Sequence, residues 1–355
     1  MKITVIGGGN IGTLMAAEMA YKGHEVTVFT SHSQRWQCEL TIWKSDDTLW
    51  RTGKIALATS DLEEAVRGAE LIWVALPAQM FGAIARKLEP LVQPGQMVGV
   101  VPGAGGAEFA FRGLIEKGCV FFGLQRVHSI ARLKEYGRSV YMLGRKSSLQ
   151  VGAIPTVQTE KTAAMLAQQF DLPCQALPNY LCVTMTPSNP ILHTSRLQTM
   201  FADWQEGRSY PRNILFYEEW TDASSQRLLA MDDELQTLCE RIPLPLETVR
   251  SLRDYYESST KEAMTKKLRS IAAFKGLPSP MKEENGVWLP DLSSRYFTSD
   301  FSFGLKVLKE IAALFQVPTP QMDAVWDWYA RLAPEDAAHS FRLHISQPDF
   351  LKLYQ

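Results

Sequence analysis

Short apolar runs alternate with segments of helical periodicity from residue 2 to residue 124. A contiguous apolar run is typical of a parallel strand that is covered on both faces. Between these runs, helices are predicted at Leu62–Arg67, with Asp61 as the N-cap, and at Ala78–Leu91. Repeated strand–helix units of this length predict an α/β fold with a doubly wound parallel sheet. Its predicted strands are Lys2–Ile6, Val26–Phe29, Ile55–Ala58, Leu71–Leu76, Met97–Val101 and Val120–Leu124.

Strand patterns continue to about residue 184 and then disappear. Ser139–Gly144, Gln150–Ile154 and Cys174–Leu177 are further predicted strands, which we expect to extend the first sheet. Beyond them the apolar residues recur at helical spacing, apart from a long irregular loop predicted from Pro278 to Ser302. We therefore predict two domains, an α/β domain at residues 1–184 and an all-helical domain at residues 185–355. The predicted helices of the second domain are Ile191–Phe201, Ser224–Arg241, Leu246–Tyr256, Lys261–Lys275, Phe303–Phe315 and Gln321–Leu332.

Composition excludes some classes of protein. With 37 Lys and Arg against 38 Asp and Glu, the net charge of −1 argues against nucleic-acid or anionic-membrane partners. The five cysteines form no metal-binding pattern and are odd in number, so we expect reduced thiols and no bound metal. No apolar stretch has the length of a membrane span, and the first residues are typical of a strand rather than a signal peptide. These features predict a cytoplasmic protein of enzyme size.

The stretch from Gly7 to Gly12 fits the pattern G-x-G-x-x-G and lies between the first predicted strand and an amphipathic helix. There Gly7 permits a tight turn, Gly9 lets a pyrophosphate approach the backbone, and Gly12 lets the helix pack closely on the sheet. A glycine-rich turn without a ligand is the alternative. We favour a Rossmann-type NAD(P)-binding domain, because the helix N-terminus also offers N–H groups to phosphates. The predicted contacts are Gly7, Gly9, Asn10, Ile11 and Gly12.

The residues after the second strand bear on the choice of dinucleotide. An NAD site usually has an acidic residue there for the ribose 2′-hydroxyl, and this chain has none. Thr30, Ser31 and Arg35 offer hydroxyls and a guanidinium, which suit a 2′-phosphate. We expect NADP(H) to be preferred over NAD(H). The alternative is that Arg35 is an ordinary surface residue and the site is dual or prefers NAD.

Two loops lie at the carboxyl ends of predicted strands, where ligands bind in folds of this type. One contains Pro77 and the other contains Gly103. We expect both residues to border the cofactor, with a flexible turn as the alternative for the second loop.

His193 is the leading candidate for proton transfer. It follows Asn189 and Pro190, which we expect to cap and open a helix, and Arg196 lies on the same side. A histidine facing a nicotinamide in a cleft between two domains can exchange a proton near neutral pH while hydride moves. Capping or packing is the alternative, and His128 is the best competing histidine.

The whole chain resembles the opine dehydrogenases, the octopine/nopaline dehydrogenase family. The resemblance consists of the N-terminal glycine motif, the N-P-x-x-H stretch at Asn189–His193, the segment Arg295–Asp300 and the final element Val317–Asp323. It implies that His193 is the catalytic acid/base, that Asp300 pairs with it, and that Arg295 lies near a substrate carboxylate. Asn189 and Gln125 complete the predicted substrate contacts.

One departure from the family pattern concerns the end of the segment Arg295–Asp300. The family usually has Glu-Asp there, and this chain has Ser299-Asp300. The alternative for Asp300 is an N-cap of the following helix. Other arginines could bind the carboxylate in place of Arg295, namely Arg126, Arg132 or Arg196.

The resemblance implies an NAD(P)H-dependent oxidoreductase that condenses an amino acid with a 2-oxo acid and reduces the imine. Two rivals remain, a 2-oxo acid reductase of the ketopantoate reductase type and an NADP(H)-binding regulator without turnover. The aromatic-rich stretch at residues 201–220 is expected to serve helix packing, with a pocket lining or a homodimer interface as alternatives.

Overall fold

The computed structural model describes residues 1–355 and divides into two units. Unit 1 comprises Met1–Thr184 together with Leu351–Gln355, and unit 2 comprises Met185–Phe350. We predicted that the second domain extends to residue 355, but the structure places the last five residues in unit 1. There the Tyr354 hydroxyl donates to the carboxylate of Glu108 at 2.8 Å. No helix is long and apolar enough to cross a membrane.

The main sheet of unit 1 has eight strands. The strands of this unit are β1 (Lys2–Ile6), β2 (Glu25–Phe29), β3 (Glu39–Lys44), β4 (Leu49–Lys54), β5 (Leu57–Thr59), β6 (Leu71–Val74), β7 (Met97–Val100), β8 (Val120–Leu124), β9 (Ser129–Glu135), β10 (Ser139–Arg145), β11 (Leu149–Ile154) and β12 (Cys174–Ala176). The main sheet has the order β12-β11-β8-β7-β6-β1-β2-β5, and β11 against β8 is its one antiparallel pair. The arrangement from β5 to β8 is the strand order of dinucleotide-binding domains. The predicted doubly wound sheet is confirmed.

A second sheet in unit 1 has the order β4-β3-β10-β9 and was not predicted. The helices of this unit are α1 (Asn10–Tyr21), α2 (Leu62–Val66), α3 (Phe81–Leu88), α4 (Ala107–Ala110), α5 (Arg112–Glu116), α6 (Thr159–Phe170) and α7 (Leu181–Thr184). Helix α1 lies against both sheets, and Gly53 of β4 comes so close that a Cβ there would lie 2.3 Å from the Ala17 carbonyl oxygen. The predictions that α1 is amphipathic and that residues 139–144 extend the main sheet were therefore wrong. A helix covered on both sides is apolar around its whole circumference.

Glu18 of α1 forms a buried ionic cluster with His128 and Arg145. His128 Nε2 lies 2.6 Å from the Glu18 carboxylate, and its ring centroid lies 4.6 Å from that of Phe170. Burial opposes ionisation of Glu18, but His128 and Arg145 outweigh it and hold the pKa of this carboxyl below its usual value. His128, the competing histidine, therefore has a structural role.

Unit 2 is helical apart from one hairpin. Its helices are α8 (Ser188–Met200), α9 (Asp222–Arg241), α10 (Leu252–Tyr255), α11 (Lys261–Ser270), α12 (Arg295–Thr298), α13 (Lys306–Leu314), α14 (Pro320–Leu332), α15 (Pro334–Ala338) and α16 (Gln347–Leu353), the last of which continues into unit 1. A π-helical turn at Phe301–Leu305 leads into α13. The hairpin strands are β13 (Met281–Glu284) and β14 (Val287–Pro290).

This hairpin and α12 occupy the segment predicted as an irregular loop. Asn285 and Gly286 have φ values of 53° and 78°, as a two-residue hairpin turn requires. The Asn-Gly pair in the sequence is thus a turn signal that the prediction missed.

Candidate active site

His193 lies in the second turn of α8 and is only 6% exposed. Its Nδ1 lies 2.7 Å from Oδ2 of Asp300, and its Nε2 lies 3.2 Å from the hydroxyl oxygen of Tyr217. All three residues belong to unit 2. An ionised carboxylate can only accept, so Nδ1 carries a proton and donates it to Asp300. This leaves Nε2 as the nitrogen at which a proton can be gained or lost.

Asp300 sits between α12 and the π-helical turn at Phe301–Leu305. It occupies the N-cap position of that turn, but its side chain makes no capping hydrogen bond. The carboxylate instead faces His193, and its side chain is 14% exposed. The capping alternative for Asp300 is therefore not what the structure shows. Single π-helical turns inside helices occur frequently at functional sites.

Aromatic side chains enclose the His193 ring. The Tyr296 ring lies 4.6 Å from it at 35°, and Phe216 meets it edge-on at 5.5 Å and 89°. Tyr217 stacks on Phe274 at 3.9 Å. Phe216 and Tyr217 come from the aromatic-rich stretch that was expected mainly to pack helices. No motif marked Tyr217 as a partner of His193, which is the main site residue that sequence reasoning missed.

Burial raises the pKa of the Tyr217 hydroxyl well above its usual value, and the nearby Tyr296, Tyr256 and Asp300 act in the same direction. Arg295 opposes the shift. The phenol therefore keeps its proton throughout the physiological pH range.

Arg295 is exposed, and its guanidinium makes no hydrogen bond or ion pair within the protein. The guanidinium lies 5.8 Å from the centroid of the Tyr296 ring. Arg196, an alternative to Arg295, is buried and donates to the carbonyl oxygens of Phe216 and Glu219 at 3.1 and 2.7 Å. Burial lowers the pKa of Arg196 to about 10, and all of its nitrogens are occupied within the protein. Arg196 is thus a structural residue, whereas Arg295 has free donors.

Asn189 does not cap α8. The helix begins at Ser188, so Pro187 occupies the N-cap position and Asn189 lies in the first turn. The Asn189 side chain is exposed and makes no hydrogen bond. The predicted capping role was wrong, and the amide remains free to contact a ligand.

The glycine loop of unit 1 fits a dinucleotide pyrophosphate. Gly7 has φ 116°, and a Cβ there would lie 2.6 Å from the Ala75 carbonyl oxygen. A Cβ on Gly12 would lie 1.8 Å from the Gly7 carbonyl oxygen, whereas one on Gly9 would meet nothing within 4 Å. Helix α1 has no side-chain cap and no acidic residue in its first turn. Its N–H groups are therefore available to an anion that approaches over Gly9.

Asn10 and Ile11 follow in the first turn of α1. The Asn10 side chain accepts a hydrogen bond from the Leu133 backbone at 2.8 Å, and Ile11 packs against the core of unit 1. The side chains of both residues thus have structural roles. Only their backbone N–H groups face the predicted phosphate position.

Thr30, Ser31 and Arg35 follow β2, as predicted for the ribose end of the cofactor. The Thr30 hydroxyl is buried and lies 2.8 Å from the hydroxyl of Tyr136. Ser31 is exposed, and the Arg35 guanidinium lies 4.9 Å from the Tyr136 ring centroid without a hydrogen bond or ion pair. Tyr136 joins this group from the β9–β10 turn. The sequence could not have revealed it, because β9 was not predicted.

The remaining predicted residues of unit 1 have different surroundings. Pro77 is exposed after β6. Gly103 is enclosed, because a Cβ there would lie 2.6 Å from Gly123 and 2.9 Å from the Tyr180 hydroxyl. Its N–H donates to Leu124 and its carbonyl accepts from Tyr180, so packing explains this glycine and no donor remains for a cofactor. Gln125 is half-buried at the end of β8, and its side chain makes no hydrogen bond.

Comparison with known proteins gives two family matches. Residues 176–333 match the family described as NAD/NADP octopine/nopaline dehydrogenase, alpha-helical domain. Residues 2–108 match the N-terminus of NAD-dependent glycerol-3-phosphate dehydrogenase.

Individual relatives match over almost the whole chain. An opine dehydrogenase of Haliotis discus hannai is 28% identical, covering 92% of this chain and 89% of its own. A tauropine dehydrogenase of Arabella iricolor is 26% identical, with coverages of 93% and 91%. A solved octopine dehydrogenase structure with NADH and L-arginine superimposes with a TM-score of 0.84 at 24% identity. It covers 96% of this chain and 94% of that chain, which shows the same fold.

Proposed function

The chain belongs to the opine dehydrogenase family, and from this premise we propose that it joins an amino acid to a 2-oxo acid by reductive condensation. It is an NAD(P)-dependent oxidoreductase that forms a CH–NH bond. The observation that carries the proposal is the His193–Asp300 pair, 2.7 Å apart, with the free guanidinium of Arg295 on the segment that leads to Asp300. This set combines a proton-transfer group with a carboxylate-binding group.

The reaction needs protons at defined steps. The amine attacks the carbonyl carbon of the oxo acid, the carbonyl oxygen takes up a proton, and the amine nitrogen loses a proton, which gives a carbinolamine. That hydroxyl takes up a second proton and leaves as water, which forms the protonated imine. Bound NAD(P)H supplies the hydride that reduces the imine carbon, and the secondary amine results.

His193 is suited to move these protons. Because Asp300 accepts from Nδ1, the neutral imidazole has its lone pair on Nε2, and the protonated ring can release a proton there. The Asp300 carboxylate also stabilises the positive charge of the protonated ring. A positioned acid/base of this kind typically contributes about 10²–10⁴-fold to the rate.

Arg295 is the proposed carboxylate ligand of the 2-oxo acid. Its planar guanidinium can bind a carboxylate through two parallel hydrogen bonds. Asn189 and Gln125, whose side-chain amides make no hydrogen bonds within the protein, are proposed as further substrate contacts.

For the cofactor, the proposal extends to a preference for NADP(H). No acidic residue follows β2, and Asp61 near the end of β5 caps α2 through the Glu63 and Glu64 backbone N–H groups. A ribose 2′-hydroxyl would thus lack the usual carboxylate partner. Ser31 and Arg35 are exposed there and suit a 2′-phosphate. Thr30 is a weaker contact, since its hydroxyl is engaged with Tyr136.

The test follows NADPH oxidation with a panel of 2-oxo acids, starting with pyruvate, in the presence and absence of amino acids, starting with L-arginine. Oxidation that requires both substrates supports the proposal. Oxidation with the oxo acid alone would identify a simple 2-oxo acid reductase. Cofactor binding without oxidation under any combination would identify a regulator. Sedimentation of the purified protein tests separately whether it forms a homodimer.

A further inference from the structure

The His193 ring has no open polar atom in the structure. Nδ1 is held by Asp300 and Nε2 by Tyr217, while Tyr296 and Phe216 lie against the ring. The side chain is 8% exposed. A substrate can therefore exchange a proton with Nε2 in only two ways, by displacing Tyr217 or by using it.

Displacement of Tyr217 is opposed by its packing. Its ring stacks on Phe274 with centroids 3.9 Å apart and lies parallel to Trp220 at 6.0 Å and 8°. The residue is 5% exposed, and Trp220 is fully buried. Moving the phenol away from His193 would break both aromatic contacts and expose apolar surface. The hydroxyl is thus fixed beside Nε2.

We propose that the Tyr217 hydroxyl is a catalytic group that carries the proton between Nε2 of His193 and the reacting oxygen of the substrate. The inference rests on the proposed function. In this proposal His193 supplies a proton to the Tyr217 hydroxyl, and Asp300 holds the His193 ring through Nδ1. The structure then holds a three-membered chain, Asp300–His193–Tyr217, in place of a histidine that acts directly.

The proton transfer balances without any further reactant. The protonated His193 ring gives its Nε2 proton to the Tyr217 oxygen, and Tyr217 gives its own hydroxyl proton to the carbonyl oxygen of the substrate. One N–H and one O–H bond break, and two O–H bonds form. The neutral ring then accepts the new Tyr217 proton as a hydrogen bond at Nε2. The same chain delivers the second proton that turns the carbinolamine hydroxyl into water, after the proton lost by the amine nitrogen has passed back through Tyr217 to His193.

The surroundings of Tyr217 agree with this role. The raised pKa of its hydroxyl keeps the phenol protonated, so that a proton is always present to be passed on. The Arg295 guanidinium lies 5.8 Å from the centroid of the Tyr296 ring, and that ring lies 4.6 Å from the His193 ring. A 2-oxo acid held at Arg295 has its carbonyl oxygen adjacent to its carboxylate.

The test is Tyr217→Phe, which keeps the stacked ring and removes only the hydroxyl. We expect kcat for product formation to fall by about 10²–10⁴-fold. The matched control is Tyr210→Phe, at a half-buried tyrosine of unit 2 whose ring packs edge-on against Phe201. The control is expected to stay within about threefold of wild type.

A second measurement separates proton transfer from positioning. The nitrogen NMR signals of His193 report its tautomer and the Nδ1 hydrogen bond to Asp300. The proposal expects both to be retained in Tyr217→Phe while kcat falls. A loss of the Nδ1 hydrogen bond in the variant would make Tyr217 a positioning residue only, and activity within about threefold of wild type would exclude any catalytic role. If the wild-type enzyme forms no product with the substrate panel, it is the proposed function that fails.

Discussion

Asp300 and His193 are 107 positions apart in the sequence, and the structure places a carboxylate oxygen of one 2.7 Å from Nδ1 of the other. This hydrogen bond selects the tautomer that leaves Nε2 without a proton in the neutral ring. Helix α8 fixes the histidine, and the turn between α12 and the π-helical segment fixes the aspartate. Acid/base chemistry at His193 therefore depends on both elements.

Asp300→Asn tests this dependence. The amide can present an N–H to Nδ1 in place of an acceptor, so the tautomer is no longer fixed and the protonated ring loses its counter-charge. We expect kcat to fall by about 10²–10⁴-fold with little change in NADPH affinity. Steady-state kinetics and a fluorescence titration of NADPH measure the two effects. Glu284→Gln, at an exposed residue of strand β13, is the control and should behave as wild type. A variant with near wild-type kcat would remove Asp300 from the mechanism.

Arg295→Met tests the carboxylate site. A charge-assisted hydrogen bond contributes about 1.5–3 kcal/mol, so kcat/KM for the 2-oxo acid should fall by about 10- to 100-fold. Arg295→Lys keeps the charge but not the two-pronged geometry, and should recover only part of the loss. Full activity of Arg295→Met with every oxo acid of the panel would place the carboxylate elsewhere.

Arg35→Ala tests the cofactor preference. The guanidinium lies exposed over Tyr136 and makes no hydrogen bond or ion pair within the protein, so its loss should affect a 2′-phosphate and not a 2′-hydroxyl. We expect the Kd for NADPH to rise by at least about tenfold and the Kd for NADH by less than about twofold. Arg67→Ala, at an arginine whose side chain is 73% exposed, is the matched control. Equal weakening of both cofactors would contradict the predicted preference.

Glu108 gives a pH-dependent stability that can be measured. Burial raises the pKa of this carboxyl from 4.5 to about 7, although Thr184 and Tyr354 donate hydrogen bonds to it. Between these values the folded state keeps a proton that the unfolded state has lost, so stability falls as pH rises through this range. The full effect is roughly 3 kcal/mol and is complete above about pH 7.

Glu108→Gln stays neutral and should lack this contribution. Urea unfolding at several pH values gives the free energy of unfolding of both proteins. Subtracting one value from the other removes the contributions of titrating groups that both proteins share, such as Asp232. We expect the wild type to lose stability relative to the variant as pH rises from about 5 to 7. If the difference in free energy of unfolding stayed constant from about pH 5 to 7, the pKa of Glu108 would not be raised in the folded protein.

The parallel sheet was predictable because its strands are buried on both faces and appear as contiguous apolar runs. The second sheet was not, since β3, β4 and β9 carry charged residues on their solvent side, as in Leu49–Lys54 and Ser129–Glu135. The sequences of those strands resemble polar loops. Only the apolar residues around the whole circumference of α1 indicate that a second sheet must cover this helix. The hairpin at Asn285–Gly286 differs, because its turn dipeptide was present in the sequence.

The candidate site was predictable only in part. The predicted helix start at Asn189 and Pro190 indicated His193, whereas Asp300 was selected through family resemblance, since spacing cannot relate residues 107 positions apart. Tyr217 has no motif, and only the packing of its ring on Phe274 and Trp220 brings its hydroxyl to Nε2. Gly103 stays a predicted cofactor contact, but its contact with Tyr180 accounts for a glycine in this loop without any ligand.

The most direct test of the account is product formation from a nitrogen-labelled amino acid, a 2-oxo acid and NADPH, measured by mass spectrometry for wild type and His193→Ala. We expect wild type to form a secondary amine that carries the label, and the variant to form it about 10²–10⁴-fold more slowly. NADPH affinity of the variant should remain within about twofold of wild type, because His193 lies in unit 2 and the glycine loop in unit 1. Labelled product formed by His193→Ala at a near wild-type rate would show that His193 is not the catalytic acid/base.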